Sequence, residues 1–383
     1  MAAAQLGKMA ALVPVISPAL GLSLGTSAWV VSLLEIGGAS LGVVAGGLAL
    51  RLGLWRSLQL GLAALALAGL GSASAQGAPS LMAWRLLEAA GYLGVTVSAP
   101  VLMARLTAGP GNTQPRAQML AMTLWSSFVP VGVALGASGA AAAVLPWGWR
   151  GTLLAGGLLA AGLALATIQL APAATGATAG SPGDIAAAGA SSGAADASAG
   201  TAAWCLALGF GLFALFAIGV IALLPTLLVH GAGLGAAAAG QWTGLASLSA
   251  IAGSVVSAVL LRRGVPARWP ALLALAVPGV LVWGVFQATP QAALAVSLAV
   301  AVNVVGGVYA GLAFSALPRV VASPGQLVRA NGLITQFGAG GSLLGPPLMA
   351  AGIAYFGWQG GAMVASTAAL LSLPLAWRAM RGL

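Results

Sequence analysis

The sequence predicts an all-α membrane protein, with twelve transmembrane helices arranged in two six-helix halves. Of its 383 residues, 60% are hydrophobic and 5% are charged, whereas soluble chains typically carry about 25% charged residues. Long apolar runs alternate with short polar breaks, as expected when lipid rather than water surrounds most of the surface. The two halves also resemble each other in sequence.

Twelve apolar segments are near the length of about 20 residues that crosses a bilayer. They lie at 1–20, 24–50, 57–76, 80–106, 117–143, 150–170, 202–229, 237–261, 270–288, 292–318, 330–354 and 359–377. The sequence thus divides into an N-terminal half (1–170), a segment rich in Ala, Gly and Ser (171–201) and a C-terminal half (202–383). The middle segment cannot bury much apolar surface, so we expect a flexible cytoplasmic linker.

Basic residues are strongly biased to one side of the predicted topology. With both termini in the cytoplasm, the outer loops contain Arg150, and the inner loops and C-terminal tail contain Arg51, Arg56, Arg105, Arg116, Arg262, Arg263, Arg268, Arg319, Arg329, Arg378 and Arg381. This bias predicts cytoplasmic termini. The net charge of +10 is then explained by the basic residues of the cytoplasmic loops. The sequence has no basic stripe with interleaved aromatic residues, so it does not indicate nucleic-acid binding.

An internal repeat relates the halves at an offset of about 210 residues. The matches keep their order: 11–14 (ALVP) with 222–225 (ALLP), 50–53 (LRLG) with 261–264 (LRRG), and 148–149 with 357–358 (both GW). Pro14, however, has fewer apolar residues before it than Pro225. We therefore expect the first span to be short, with further apolar residues upstream.

Three motifs resemble those of the major facilitator superfamily. The loop after the second span reads GGLALRLGLWR at 46–56, similar to the family signature G-x-L-A-D-R-x-G-R-R. The fourth span has RLLEAAG at 85–91, similar to R-x-x-x-G-x-G, and the fifth has PVGVALG at 130–136, like the family's glycine-proline element. The amino-acid sequence of the first five spans is most similar to the cyanate-permease-like branch of this superfamily.

The resemblance implies a secondary transporter of the bacterial inner membrane that binds a small molecule at the midplane and works by alternating access. The loop would take part in gating through four residues: Gly46, Arg51, Gly53 and Arg56. Leu50 stands where the family has an aspartate, and Trp55 replaces a basic residue. The gate should therefore depend more on Arg51, close glycine contacts and packing, although the loop could also simply anchor in anionic headgroups.

Four charged residues lie inside predicted spans: Lys8, Glu35, Arg85 and Glu88. Such charges are costly in hydrocarbon and often functional. One interpretation is an anion site in which Arg85 binds a carboxylate or similar group with help from Lys8, while Glu88 or Glu35 carries a coupling proton. The other is a structural salt-bridge network that joins the first, second and fourth spans.

The C-terminal half has no charge inside its spans, so its candidate substrate contacts are the amides Asn303 and Gln336. Buried amides also commonly join helices. Trp125 is a candidate wall of the cavity, with core packing as the alternative.

Several functions are disfavoured. One histidine, His230, cannot form a zinc-binding H-E-x-x-H, and the spans lack an aspartate dyad. We expect no enzyme activity, cofactor or metal. The preferred function is transport of a small organic or inorganic anion by a monomer, with protons as a candidate coupling ion. Proton-coupled efflux of apolar drugs and a non-transporting membrane sensor are the alternatives.

Overall fold

A computed structural model describes residues 1–108, 117, 124–125, 127–175, 200–287, 291–321 and 324–381. Its α-helices are α1 (Ala4–Leu20), α2 (Leu24–Ser32), α3 (Ile36–Leu52), α4 (Leu54–Ser72), α5 (Ala78–Ala108), α6 (Phe128–Thr175), α7 (Thr201–His230), α8 (Ala236–Arg262), α9 (Arg268–Gln287), α10 (Ala292–Ala316), α11 (Pro324–Phe356) and α12 (Trp358–Ala379). Short 3-10 turns at Leu33–Glu35 and Leu317–Arg319 follow α2 and α10.

The predicted all-α membrane fold is confirmed. Within the described residues, ten helical segments are long and apolar enough to cross a membrane. One of them, Phe128–Gln169, has 42 residues, and it contains two spans because the backbone of Gly148 (φ 63°, ψ 178°) interrupts its helical geometry. Counting that segment as two and adding the shorter Ala4–Leu20 gives twelve spans.

The second span departs from the continuous helix predicted at 24–50. Its helix tightens into the 3-10 turn Leu33–Glu35, where the Ile36 N–H bonds the Leu33 carbonyl rather than that of Ser32. Such a turn inside a helix changes which carbonyls receive a helical N–H. As a result, side chains from neighbouring helices can donate to the backbone of the second span.

The two halves meet through equivalent pairs of helices. The start of α6 and α8 pack together, as do α11 and the second span (α2 and α3). In the sequence repeat the second span corresponds to α8, and the fifth span (the start of α6) corresponds to α11. Each interface is therefore the counterpart of the other, and the equivalent helices α1 and α7 contact each other between them.

The glycines with positive φ support the duplication. Among the described residues, the six such glycines form three pairs related by the repeat. The pairs are Gly21 with Gly233, Gly53 with Gly264, and Gly148 with Gly357. Because L side chains rarely adopt this conformation, both halves have kept glycine at corresponding turns. We call the end that carries the Gly53 and Gly264 turns the arginine-rich end.

The predictions about segment ends remain predictions. α1 has 17 residues and its counterpart α7 has 30. The predicted linker lies mostly outside the described residues, because α6 continues to Thr175 and the description resumes at Gly200. The division at 171–201 remains a prediction.

Candidate functional site

A buried ion cluster joins three helices of the N-terminal half. The Lys8 ammonium on α1 lies 3.2 Å from Oε1 of Glu88 on α5. The other oxygen of that carboxylate, Oε2, accepts a hydrogen bond from Nη1 of Arg85, one helical turn earlier. Arg85 and Glu88 are 0% and 1% exposed, and Lys8 is 6% exposed. Two cations therefore share one carboxylate in a region that excludes solvent.

Arg85 also binds the backbone of the second span. Its Nε donates to the Val30 carbonyl at 2.7 Å, and its Nη2 donates to the Val31 carbonyl at 2.9 Å. Both carbonyls lie just before the 3-10 turn, where the helical hydrogen-bond pattern changes. These contacts are expected for a structural network that joins the spans, which was the alternative to an anion site. In this conformation the Arg85 guanidinium is buried and does not face open space.

Glu35 lies in the 3-10 turn, close to the cluster formed by Lys8, Arg85 and Glu88. Its carboxylate lies close enough to the Tyr92 hydroxyl and to Arg85 for both groups to influence its charge. Unlike Glu88, Glu35 is only partly buried. It is the more exposed of the two acidic residues in the cluster.

The sequence interpretation missed Tyr92, although a signal for it was present. Arg85, Glu88 and Tyr92 are three and then four residues apart, a spacing that places them on one helix face. On a neighbouring face of α5, a Cβ added to Gly91 would lie 2.7 Å from the Gly61 carbonyl oxygen of α4. This close backbone contact holds α5 and so fixes where its polar face points.

Aromatic rings extend the site from Tyr92. Trp125 stacks on Phe128 with ring centroids 4.6 Å apart and planes 4° apart. Phe128 in turn lies 6.5 Å from Tyr92, centroid to centroid. Trp125 and Phe128 are partly buried, so they provide an aromatic surface that leads towards Glu35.

The two amides from the C-terminal half have different environments. Nε2 of Gln336 on α11 donates to the Ala39 carbonyl of α3 at 3.0 Å and so connects the halves. Nδ2 of Asn303 donates to Ala299 of its own helix at 2.8 Å. Both side chains are half-buried. Gln336 thus contacts the second span one helical turn after Glu35, whereas the amide of Asn303 bonds within its own helix, α10.

The proposed gating loop lies between α3 and α4 at the arginine-rich end. Gly46 lies within α3, and Gly53 forms the turn with φ 88°. Arg51 and Arg56 are exposed. Below them, Ala49, Leu54 and Leu102 form a small apolar cluster that attaches the loop to α5.

Comparison with known families identifies the architecture. The family model of the Major Facilitator Superfamily matches residues 2–338. The chain belongs to this superfamily. Its membership confirms the resemblance predicted from the three motifs at superfamily level. No match was found among curated proteins.

Solved structures of this superfamily fold are similar over the full chain. A bacterial homologue of the human lysosomal transporter Spinster, in an inward-facing and occupied conformation, has a TM-score of 0.77 and 16% identity, over 100% of this chain and 95% of that one. The same homologue's inward-facing unoccupied conformation has a TM-score of 0.72 and 16% identity, over 99% and 93%. At this identity the likeness concerns the fold.

Family and fold together are those of multi-pass secondary transporters that work by alternating access, rather than of enzymes. Transporters of this superfamily bind small molecules and often couple their movement to protons. In this superfamily member, the ion cluster between α1, α5 and the second span is the most strongly charged part of the described membrane interior.

Proposed function

We propose that this protein transports a small organic or inorganic anion across the bacterial inner membrane. The observation that carries the proposal is the sharing of Glu88 by Lys8 and Arg85. The three groups have a net charge of +1 in a region where charges are poorly hydrated. When Glu35 is protonated, this positive charge has no counter-charge and favours a negatively charged ligand.

Lys8 is the cation best placed to meet that anion. An ammonium has three N–H donors, and the Glu88 carboxylate takes one of them at 3.2 Å. The Lys8 side chain is 8% exposed, and that of Arg85 is 0% exposed. We assign Arg85 to holding Glu88 and the Val30 and Val31 carbonyls, from where its charge still acts on the site.

Glu35 supplies the coupling to protons. With Glu35 ionised, the four charged groups sum to zero, and with Glu35 protonated the site is left with one positive charge. Proton binding at Glu35 and anion binding at Lys8 therefore favour each other, which is the coupling that proton–anion symport requires. Glu88 is held ionised by two cations and is the weaker candidate for this role.

The solute would lie between the halves. Trp125 and Phe128 offer it an aromatic wall on one side, and Gln336 on α11 closes the site from the other half. The stacked rings suit a planar or partly apolar anion. Asn303 remains a candidate contact on α10.

Assignment to the cyanate-permease-like branch is part of this proposal, and the sequence of the first five spans supports it. So is the orientation with both termini in the cytoplasm, supported by the arginine-rich end. Single cysteines introduced into 171–201 should react only with cytoplasmic reagents and those near Trp147 only with periplasmic ones. Periplasmic labelling of 171–201 would reverse the orientation. We expect a monomer, checked by mass photometry in detergent.

A counterflow screen tests the solute class. Proteoliposomes are preloaded with one unlabelled compound and mixed with the same compound in labelled form. Small anions such as formate, cyanate, acetate and benzoate form one panel, and apolar cationic dyes and drugs form the other. We expect exchange in the anion panel. Exchange confined to the drugs would instead favour the efflux alternative.

A further inference from the structure

A notch of one arginine and two tryptophans lies at the arginine-rich end, far from the ion cluster. Arg268 is the first residue of α9, and its guanidinium carbon lies 5.5 Å from the ring centroids of both Trp269 and Trp377. The two indoles meet edge to face at 5.5 Å and 68°. Trp377 is in the last turn of α12, which packs against α9. We call these three residues the Arg268 notch.

Among the residues that the structure describes, none forms an ion pair with the guanidinium in the notch. In the part of the chain that the structure describes, Arg268 contacts the two rings, and its Nε is buried without a hydrogen-bond acceptor. The C-terminal half (202–383) contains no Asp or Glu side chain that could pair with Arg268. An unpaired, partly desolvated guanidinium favours an anion supplied from outside.

Neighbouring charges strengthen the attraction. Arg378 follows Trp377 directly, Arg381 lies beyond the end of α12, and Arg262 and Arg263 end α8 shortly before the notch. All four are exposed. Such a cluster attracts anionic lipids to this end of the membrane without selecting a particular binding site.

The notch is specific to the C-terminal half. Through the repeat, Arg268 and Trp269 correspond to Ser57 and Leu58, and Trp377 corresponds to Ile168. The N-terminal half folds in the same way without these three side chains. The shared architecture of the two halves does not require these three side chains, which favours a role in binding.

We propose that the Arg268 notch binds the phosphate of an anionic phospholipid between α9 and α12. Trp269 and Trp377 are 52% and 36% exposed at the ends of membrane helices, the depth at which tryptophan contacts headgroups and glycerol. An arginine fork binds phosphate oxygens in pairs. Inorganic phosphate offers the same oxygens, but only a lipid would also cover the two exposed indoles.

Native mass spectrometry of the purified full-length protein tests the proposal. The protein is titrated with phosphatidylglycerol, with phosphatidylcholine of the same acyl chains, and with inorganic phosphate. We expect phosphatidylglycerol to bind more tightly than the other two. Arg268→Gln and Trp377→Leu should each weaken its binding by about tenfold, equivalent to 1.4 kcal/mol.

Arg381→Gln is the matched control, because it removes an exposed charge from the same end without touching the rings. It should change phosphatidylglycerol affinity by less than about twofold. Equal binding of the two lipids would overturn the proposal, as would equal losses in the Arg268 and Arg381 variants. Displacement of the lipid by equimolar phosphate would show a phosphate site instead. If Arg268→Gln does not fold, the Trp377→Leu comparison decides.

Discussion

The Lys8 ammonium and the Glu88 carboxylate lie 3.2 Å apart, although 80 residues separate them in the sequence. The contact joins α1 to α5 in the interior of the N-terminal half. Because Arg85 binds the same carboxylate, Glu88 holds together two cations that would otherwise repel each other. The stability of this half and the anion affinity that we propose for it therefore depend on the same three side chains.

Glu88→Gln should destabilise the protein strongly. It leaves two buried cations without a counter-charge, and removing one partner of a buried pair typically costs about 3–5 kcal/mol. The Lys8→Met/Glu88→Gln double variant should regain part of that loss, since one of the cations is then gone. Thermal unfolding in detergent of the wild type, both single variants and the double variant measures the coupling. Additive effects within about 0.5 kcal/mol would contradict the contact.

Arg85→Lys separates a positioning role from a direct role in binding. Lysine keeps the charge but loses the planar fork that reaches the Val30 and Val31 carbonyls. We expect a loss of about 1.5–3 kcal/mol in stability, typical of hydrogen bonds to a charged group. The half-saturating solute concentration should stay within about threefold of the wild type.

The opposite result would restore the alternative assignment for Arg85. Normal melting with a half-saturating concentration raised at least about tenfold, or 1.4 kcal/mol, would show that the guanidinium contacts the solute. Arg381→Lys is a suitable control, because that arginine is exposed at the arginine-rich end and far from the cluster. It should change neither quantity.

Much of the fold could be predicted from the sequence because the physical requirements are simple. A helix must be apolar over about 20 residues to cross the bilayer, and charges inside such runs are rare enough to be conspicuous. Lys8, Glu35, Arg85 and Glu88 were therefore identified as a group. Their division into roles was left open, because pairing depends on the tilt and rotation of each helix.

Other features were hidden by the uniform apolar pattern. Residues 24–50 contain no proline and read as one helix, so the 3-10 turn at Leu33–Glu35 gave no signal. That turn determines which backbone carbonyls Arg85 can reach. Gln336 was equally ambiguous, since a half-buried amide fits both a solute contact and the helix contact with Ala39 that the structure shows.

Glu35→Gln should uncouple transport from protons. The neutral amide leaves the site with a fixed positive charge, so an anion can still bind but a proton can no longer accompany it. At equal pH on both sides, counterflow should remain within about threefold of the wild type. Accumulation driven by a pH gradient should fall at least about tenfold.

Glu35→Asp is the matched control for this prediction, because it keeps a titratable carboxyl group in the 3-10 turn. It should retain part of the gradient-driven accumulation. If Glu35→Gln still accumulates solute as the wild type does, the coupling proton is carried elsewhere and Glu88 becomes the next residue to test.

Gly244→Leu should block the movement of the two halves. Gly244 lies on α8 against α6, where an added Cβ would be 3.0 Å from the Ala134 carbonyl oxygen. A larger side chain would force the interface apart and reduce transport at least about tenfold while the helices still insert. Gly139→Leu is the control on the facing helix, since a Cβ there meets no atom within 4 Å. Equal activity of the two variants would contradict this role of the interface.

The most direct measurement is uptake of labelled small anions into proteoliposomes that contain the purified protein, with an imposed inward pH gradient. Protein-free liposomes and the Gly244→Leu variant provide the background. The account predicts uptake that saturates with anion concentration, exceeds both backgrounds and collapses when a protonophore removes the gradient. Binding of the anion without any uptake above background would contradict transport and favour a sensor.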